Sequence, residues 1–294
     1  MKRRTALSLL GGAALGSAAA QSNANRFGFP TIIGASSARA ATLLDPSKPE
    51  DLYTIHRKLN FSFDEKPVFW FIEATRFGLK DYEFTPFWNM HVGMIFKVRD
   101  VDDWTYESSL LSIIFYSDLE TGKRLEVFNN PYTGQKRPVQ QPRVARVKRT
   151  HGLTGVISEP RPRAGSGAVA RKEQIGPAWV INDDVWCNAD LLVKAEPPND
   201  LDMTIHVNDW STYHGSIAEV SDPDVKSAAA THTFNDINTF NHPWIGMQGV
   251  TANSVSRGFG RKSRSVEGMP ATWRGFMANH HPDILADIDG AIEG

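Results

Sequence analysis

From Trp88 to Val98 the chain alternates. Trp88, Met90, Val92, Met94, Phe96 and Val98 are apolar, while Asn89, His91, Gly93, Lys97 and Arg99 stand between them. Side chains on a β-strand point to opposite faces with a period of two, so this run predicts a half-buried strand, broken only at Ile95. Val68-Phe69-Trp70-Phe71-Ile72 is apolar on both faces, as a strand covered on both sides would be. Leu110–Tyr116, Ala178–Ile181, Val185–Val193, Met203–Trp210 and Thr231–Ile237 are further strand candidates, separated by turn signals. Asp118-Leu119-Glu120-Thr121-Gly122-Lys123 reads as a turn, with Leu125–Phe128 returning as the hairpin partner of Leu110–Tyr116.

Helices are expected only at the ends. Pro49 with Glu50 and Asp51 opens one, carried on by Leu52, Ile55 and Leu59. Pro270 opens the other, with Trp273, Phe276 and Met277 on one stripe; His280-His281-Pro282 is expected to close it. The fold class is therefore mostly β (α+β): an antiparallel meander curling into a barrel or strongly bent sheet, with short N- and C-terminal helices. No linker or internal repeat divides the chain after residue 40, so 41–294 reads as one ligand-pocket domain.

Residues 1–40 read as an address. Lys2-Arg3-Arg4 precedes a weakly apolar stretch, Ala6 to Ala20, too short and too rich in Gly and Ala to span a bilayer. The pattern resembles a twin-arginine export signal, with Ala38-Arg39-Ala40 or Ala18-Ala19-Ala20 as the cleavage site. A periplasmic or otherwise exported protein is the expectation, without a transmembrane segment. The whole chain balances 32 basic residues against 33 acidic ones, which excludes nucleic-acid binding by bulk charge.

Lys136 to Lys172 nevertheless holds ten basic residues and one acid, Glu159, and contains the flexible run Ala164-Gly165-Ser166-Gly167-Ala168. It reads either as a basic flap over an anionic ligand or envelope surface, or as solvated strands and a surface loop. The lone Cys187 excludes an intrachain disulfide and every multi-cysteine metal site, and a buried inert thiol is expected there.

Six short motifs recur together. They are Asp118-x-Glu120-Thr121-Gly122, Asn130-Pro131-Tyr132-Thr133-Gly134, Asp183-Asp184-Val185-Trp186, Thr212-Tyr213-His214, Ser256-Arg257-x-x-Gly260-Arg261-Lys262 and His281-Pro282-Asp283-Ile284-Leu285-Ala286-Asp287. In this order they resemble the bacterial and fungal domain of unknown function numbered eighteen thirty-eight, over about Asp51 to Ala291. The resemblance implies no family-wide activity, and the basic insert near Arg143–Arg171 departs from its pattern.

No phosphate-binding loop, nucleophile elbow, zinc-protease helix or dinucleotide fingerprint is present. Gly258-Phe259-Gly260, between Arg257 and Arg261, reads as a structural turn or a small anion site. The nine histidines carry more chemistry. On the Met203 strand, His206, Asn208, Trp210, Thr212 and His214 share a face if the period holds, and pairing would bring His232 near His214. That face is either the wall of a pocket or the solvated outside of the sheet.

As a pocket it predicts His214 as proton carrier with Tyr213 and His232. Trp210, His206, Arg257, Arg261, Trp88 and His91 would bind the substrate. Histidine suits the role because its ordinary pKa lies near neutrality. No cofactor is expected; a metal on His206, His214 and His232 is an alternative whose spacing matches no ligand motif. Glu73 is expected to be a buried carboxylate paired with Arg76.

The expected function is an exported, cofactor-independent acid/base enzyme (lyase, dehydratase or isomerase) acting on an aromatic or hydrophobic small molecule. The alternative is a non-catalytic periplasmic carrier or sensor. A third reading, from the basic segment, is an envelope-associated interaction protein.

Overall fold

A computed structural model describes residues 42–156, 169–195, 205–239 and 242–293. The export-like segment, the run 164–168 and Met203 lie outside the described residues. Contacts divide the chain between Arg39 and Ala40, and Ala40–Gly294 forms one unit.

The strands are β1 (Val68–Lys80), β2 (Glu83–Asp102), β3 (Thr105–Ser117), β4 (Val127–Asn129), β5 (Lys136–Pro138), β6 (Arg143–Gly152), β7 (Gly155–Val156), β8 (Val169–Ile181), β9 (Asp184–Ala195), β10 (Ile205–Ser216), β11 (Thr231–Asn238) and β12 (Asn253–Ser263). Ten of them form one antiparallel sheet in the order β7-β6-β3-β2-β1-β12-β11-β10-β9-β8, and β4 pairs with β5 separately. The two ends of the large sheet meet. Arg149 on β6 lies 3.8 Å from Glu173 on β8. A Cβ on Gly155 of β7 would press on the Glu173 carbonyl. The sheet is thus a nearly closed barrel, which leaves few strand edges open.

The alternation separates an inner face from an outer one. Val68, Trp70 and Ile72 of β1 and Trp88, Met90, Val92, Met94, Phe96 and Val98 of β2 point inward. Helix α1 (Pro49–Asn60) closes one end of the barrel. Its Tyr53, Ile55 and Leu59 pack on Trp70, Phe96, Tyr106 and Tyr213. The Trp70 indole N–H donates to the Asn60 carbonyl at 2.9 Å. Lys262 Nζ donates to the Lys58, Leu59 and Phe61 carbonyls at the helix end, and the Ala228 amide and the Ser227 hydroxyl share the first and the last of them. Each large side chain buried there contributes on the order of 1.5–3 kcal/mol relative to exposure.

Outside, helices α2 (Ala271–His280), α3 (Pro282–Ala286) and α4 (Ile288–Glu293) cover β1–β3, burying Phe69, Ile95, Leu111, Ile113 and Phe115 under Trp273 and Met277. This explains the two-faced Val68 run and the one break at Ile95: those outward residues meet helix, not water. Trp273 sets its indole over Gly93, where a Cβ would collide with it.

Three expectations are corrected. Leu125 meets Tyr116 by one backbone hydrogen bond, 2.9 Å, and the chain then leaves the sheet, so the partner of β3 is β6. Gly258-Phe259-Gly260 is not a turn but the middle of β12, where either glycine bearing a Cβ would strike β1. Glu73 faces outward and Arg76 inward, so they do not pair; Arg76 binds Asp236 instead, at 2.9 Å.

Candidate functional site

Strand register builds a trough on the outside of the barrel. Trp186 on β9, His214 on β10, Thr231 on β11, Arg261 on β12 and Phe71 on β1 are successive cross-strand partners. The large side chains at the two ends of this row flank the short threonine in its middle. With Phe259 they enclose an open trough of about 390 Å³, a volume within the range of small-molecule sites. No helix of the described residues covers this part of the sheet, and Phe259 is 64% exposed.

His214 is held from three sides. Its ring stacks on Trp186 with centroids 4.1 Å apart. Its Nδ1 lies 3.2 Å from Thr231 Oγ1. Its Nε2 is enclosed 3.0 Å from Asp184 Oδ1, out of line for a hydrogen bond. The Thr231 hydroxyl belongs to an exposed residue of the trough floor, between the imidazole and the open space. Arg257, Phe259 and Arg261 alternate outward along β12, and neither arginine has a carboxylate partner among the described residues.

The predicted site residues do not form one site. Trp210 and His206 are exposed and share the outer face with His214, so on this strand the face is the outside of the sheet rather than the barrel wall. Arg257 lies there too. Tyr213 and His232 point into the barrel. They are cross-strand partners stacked 4.7 Å apart, because the register sets His232 beside Tyr213 and Thr231 beside His214. Burial pushes the His232 imidazole down to about 3 and raises the Tyr213 hydroxyl well above its usual value. A metal shared by His206, His214 and His232 is excluded by this opposition of faces. Among the described residues no group of three or more His, Cys, Asp or Glu gathers elsewhere.

Trp88 is buried at the end of the barrel opposite α1. His91 faces outward beneath Phe276, with Nδ1 2.6 Å from Glu73 Oε2 and Nε2 2.9 Å from Ser117 Oγ. The order serine–histidine–carboxylate is that of a nucleophilic triad, but Ser117 is 1% exposed, so a substrate does not reach its hydroxyl. Cys187 is buried, and burial pushes its thiol up to about 12, which leaves it unreactive.

Sequence reasoning missed Asp184, Thr231, Trp186, Phe71 and Phe259 as trough residues. The signal for the first lay in Asp183-Asp184-Val185-Trp186, read only as a family motif. No protein-family model, no curated protein and no solved structure matches the chain.

Proposed function

We propose that the outer trough binds a small aromatic or hydrophobic acid and that His214 moves a proton on it by way of Thr231. The observation that carries this reading is the row Trp186–His214–Thr231–Arg261–Phe71. It sets aromatic walls, an oriented imidazole and an unpaired guanidinium around one ligand-sized space. A flat ring fits between Trp186 and Phe71, while a carboxylate or phenolate meets Arg261, whose planar fork suits it. The Asp184 carboxylate stands 3.0 Å from the imidazole's other nitrogen without a hydrogen bond to it, so Thr231 is the partner that orients the ring. The reaction class is proton abstraction at carbon, followed by its return at carbon in an isomerase or by loss of a leaving group from the neighbouring carbon in a lyase. The twin-arginine-like segment supports an exported setting for it.

The enclosure of His214 Nε2 favours a second reading, a carrier that binds the acid without reacting it. Phenylpyruvate in deuterated buffer separates the two. Exchange of its benzylic hydrogens above the buffer rate, lost in His214→Ala and in Thr231→Val, supports proton transfer. Saturable binding with no exchange supports the carrier, and no binding at all overturns both.

A further inference from the structure

A second hollow lies where three segments meet beside the end of α1. Its walls are the chain leaving α1 (62–68), the segment entering β11 (224–229) and the end of β12 (262–264). It encloses about 420 Å³, opens to solvent and shares no lining residue with the trough. The walls are tied to one another. The Phe63 amide donates to the Lys226 carbonyl at 2.8 Å, and the Ser227 hydroxyl to the Phe61 carbonyl at 3.0 Å. The cleft is thus preformed, as ligand sites usually are.

Its charge is one-sided. Lys66, Lys226, Lys262 and Arg264 line it against two acids, Asp64 and Asp224, in a chain whose whole balance is slightly negative. Asp64 is already engaged, accepting from the Ser62 hydroxyl at 2.6 Å and from the Lys66 amide at 3.3 Å. Lys262 uses its three ammonium hydrogens on the carbonyls at the end of α1, so toward the cleft it offers charge and no hydrogen bond.

Arg264 and Lys226 keep donors to offer. The Arg264 residue is exposed, and its guanidinium has neither an ion pair nor a hydrogen bond among the described residues. Lys226 is exposed too, and its Nζ donates only to the Pro223 carbonyl of its own loop, at 3.0 Å. Burial pushes the Lys262 ammonium down to about 7; Glu219 and Asp64 oppose the shift and the Arg264 guanidinium adds to it. Cations thus crowd one another around an open space, an arrangement that an anion within it relieves.

We propose that this cleft binds the phosphoryl group of a small phosphate monoester. The phosphoryl oxygens accept from Arg264 and Lys226, Lys66 and Lys262 add charge, and the carbon skeleton lies on Pro67, Val225 and Ala229. A phosphoryl group suits converging cations better than a carboxylate does, because it brings about two charges and three acceptor oxygens near pH 7. The trough, by contrast, has aromatic walls.

Amide NMR of the full chain titrated with glycerol 3-phosphate tests this, with glycerol as the uncharged control. The amides of Val225, Lys226 and Ser227 are expected to shift saturably in the millimolar range. Those of Thr212, His214 and Phe259, on the trough, should stay in place. Arg264→Ala should weaken binding about tenfold, the size expected for one charge-assisted pair, with Arg264→Lys and Lys226→Ala weakening it less. Both residues are exposed, and thermal unfolding shows that each variant folds. The proposal is overturned if no amide shifts, if glycerol shifts them equally, or if Arg264→Ala binds as wild type. Shifts of the trough amides alone would place the phosphate there and overturn it too, while leaving the trough reading intact. Sedimentation of the chain with phosphatidate vesicles, where glycerol 3-phosphate does not bind, would assign the cleft to a lipid headgroup and overturn the proposal of a soluble ligand.

Discussion

Tyr213 and His214 are consecutive on β10, yet they belong to different regions. Tyr213 lies inside the barrel, 7% exposed, stacked on His232 and edge-on to Trp70. His214 lies outside, beside a trough open to solvent. Inside, at the end closed by α1, the aromatic residues interlock and burial holds the His56 and His232 imidazoles neutral. Outside, the aromatic residues stand apart with threonines and arginines between them. The first arrangement resists unfolding; the second leaves room for a ligand. The outer face of β1–β3 makes the same point, for there the outward residues are aliphatic or aromatic and three helices cover them.

The largest effect should come from the closed end. Trp70→Ala removes a fully buried indole and its bond to Asn60, and should cost about 3–5 kcal/mol in urea denaturation. Loss of trough binding without loss of stability in this variant would break the division between the two regions.

Acid should act on the interior. His56, His232 and His242 are pushed down from 6.5 to about 4, 3 and 4, by burial first and for His242 also by its arginine neighbours. The unfolded chain therefore binds more protons than the folded one between pH 6.5 and 4. Their contribution is complete above pH 6.5 and is lost as the pH falls toward 4. Each histidine accounts for up to about 1.4 kcal/mol per pH unit. Urea midpoints at several pH values should show this slope, and His56→Phe should make it shallower.

On the outside, Arg261→Ala should weaken phenylacetate binding about tenfold and leave the urea midpoint unchanged. The smallest effect is expected of Phe259→Ala. Stability should move by less than about 0.5 kcal/mol, as for an ordinary surface change, while phenylacetate binds a few-fold more weakly. Stability loss as large as that of a core aromatic would show that Phe259 belongs to the core instead.

Much of the architecture was legible because alternation is local. The runs at Val68, Trp88 and Val185 carry it in neighbouring residues, as does the proline start of α1. What alternation cannot say is which face becomes the inside of a barrel; that depends on closure between β7 and β8, far apart in sequence. A register offset by one residue set His232 against Tyr213 instead of His214, and the predicted catalytic set divided. Strand β12 escaped because its inward residues, Ser254, Ser256, Gly258 and Gly260, are small or polar, whereas a buried strand face is expected to be bulky. They are small because β1 and the Arg76–Asp236 pair occupy that space.

The two histidines report on the two regions at once. In nitrogen-detected NMR of histidine side chains, phenylacetate is added to the full chain and the His214 and His232 rings are followed, each assigned by its His→Gln variant. The account predicts that the His214 ring signals shift saturably while those of His232 stay in place. A shift of His232 with His214 unmoved would place the ligand inside the barrel and contradict it.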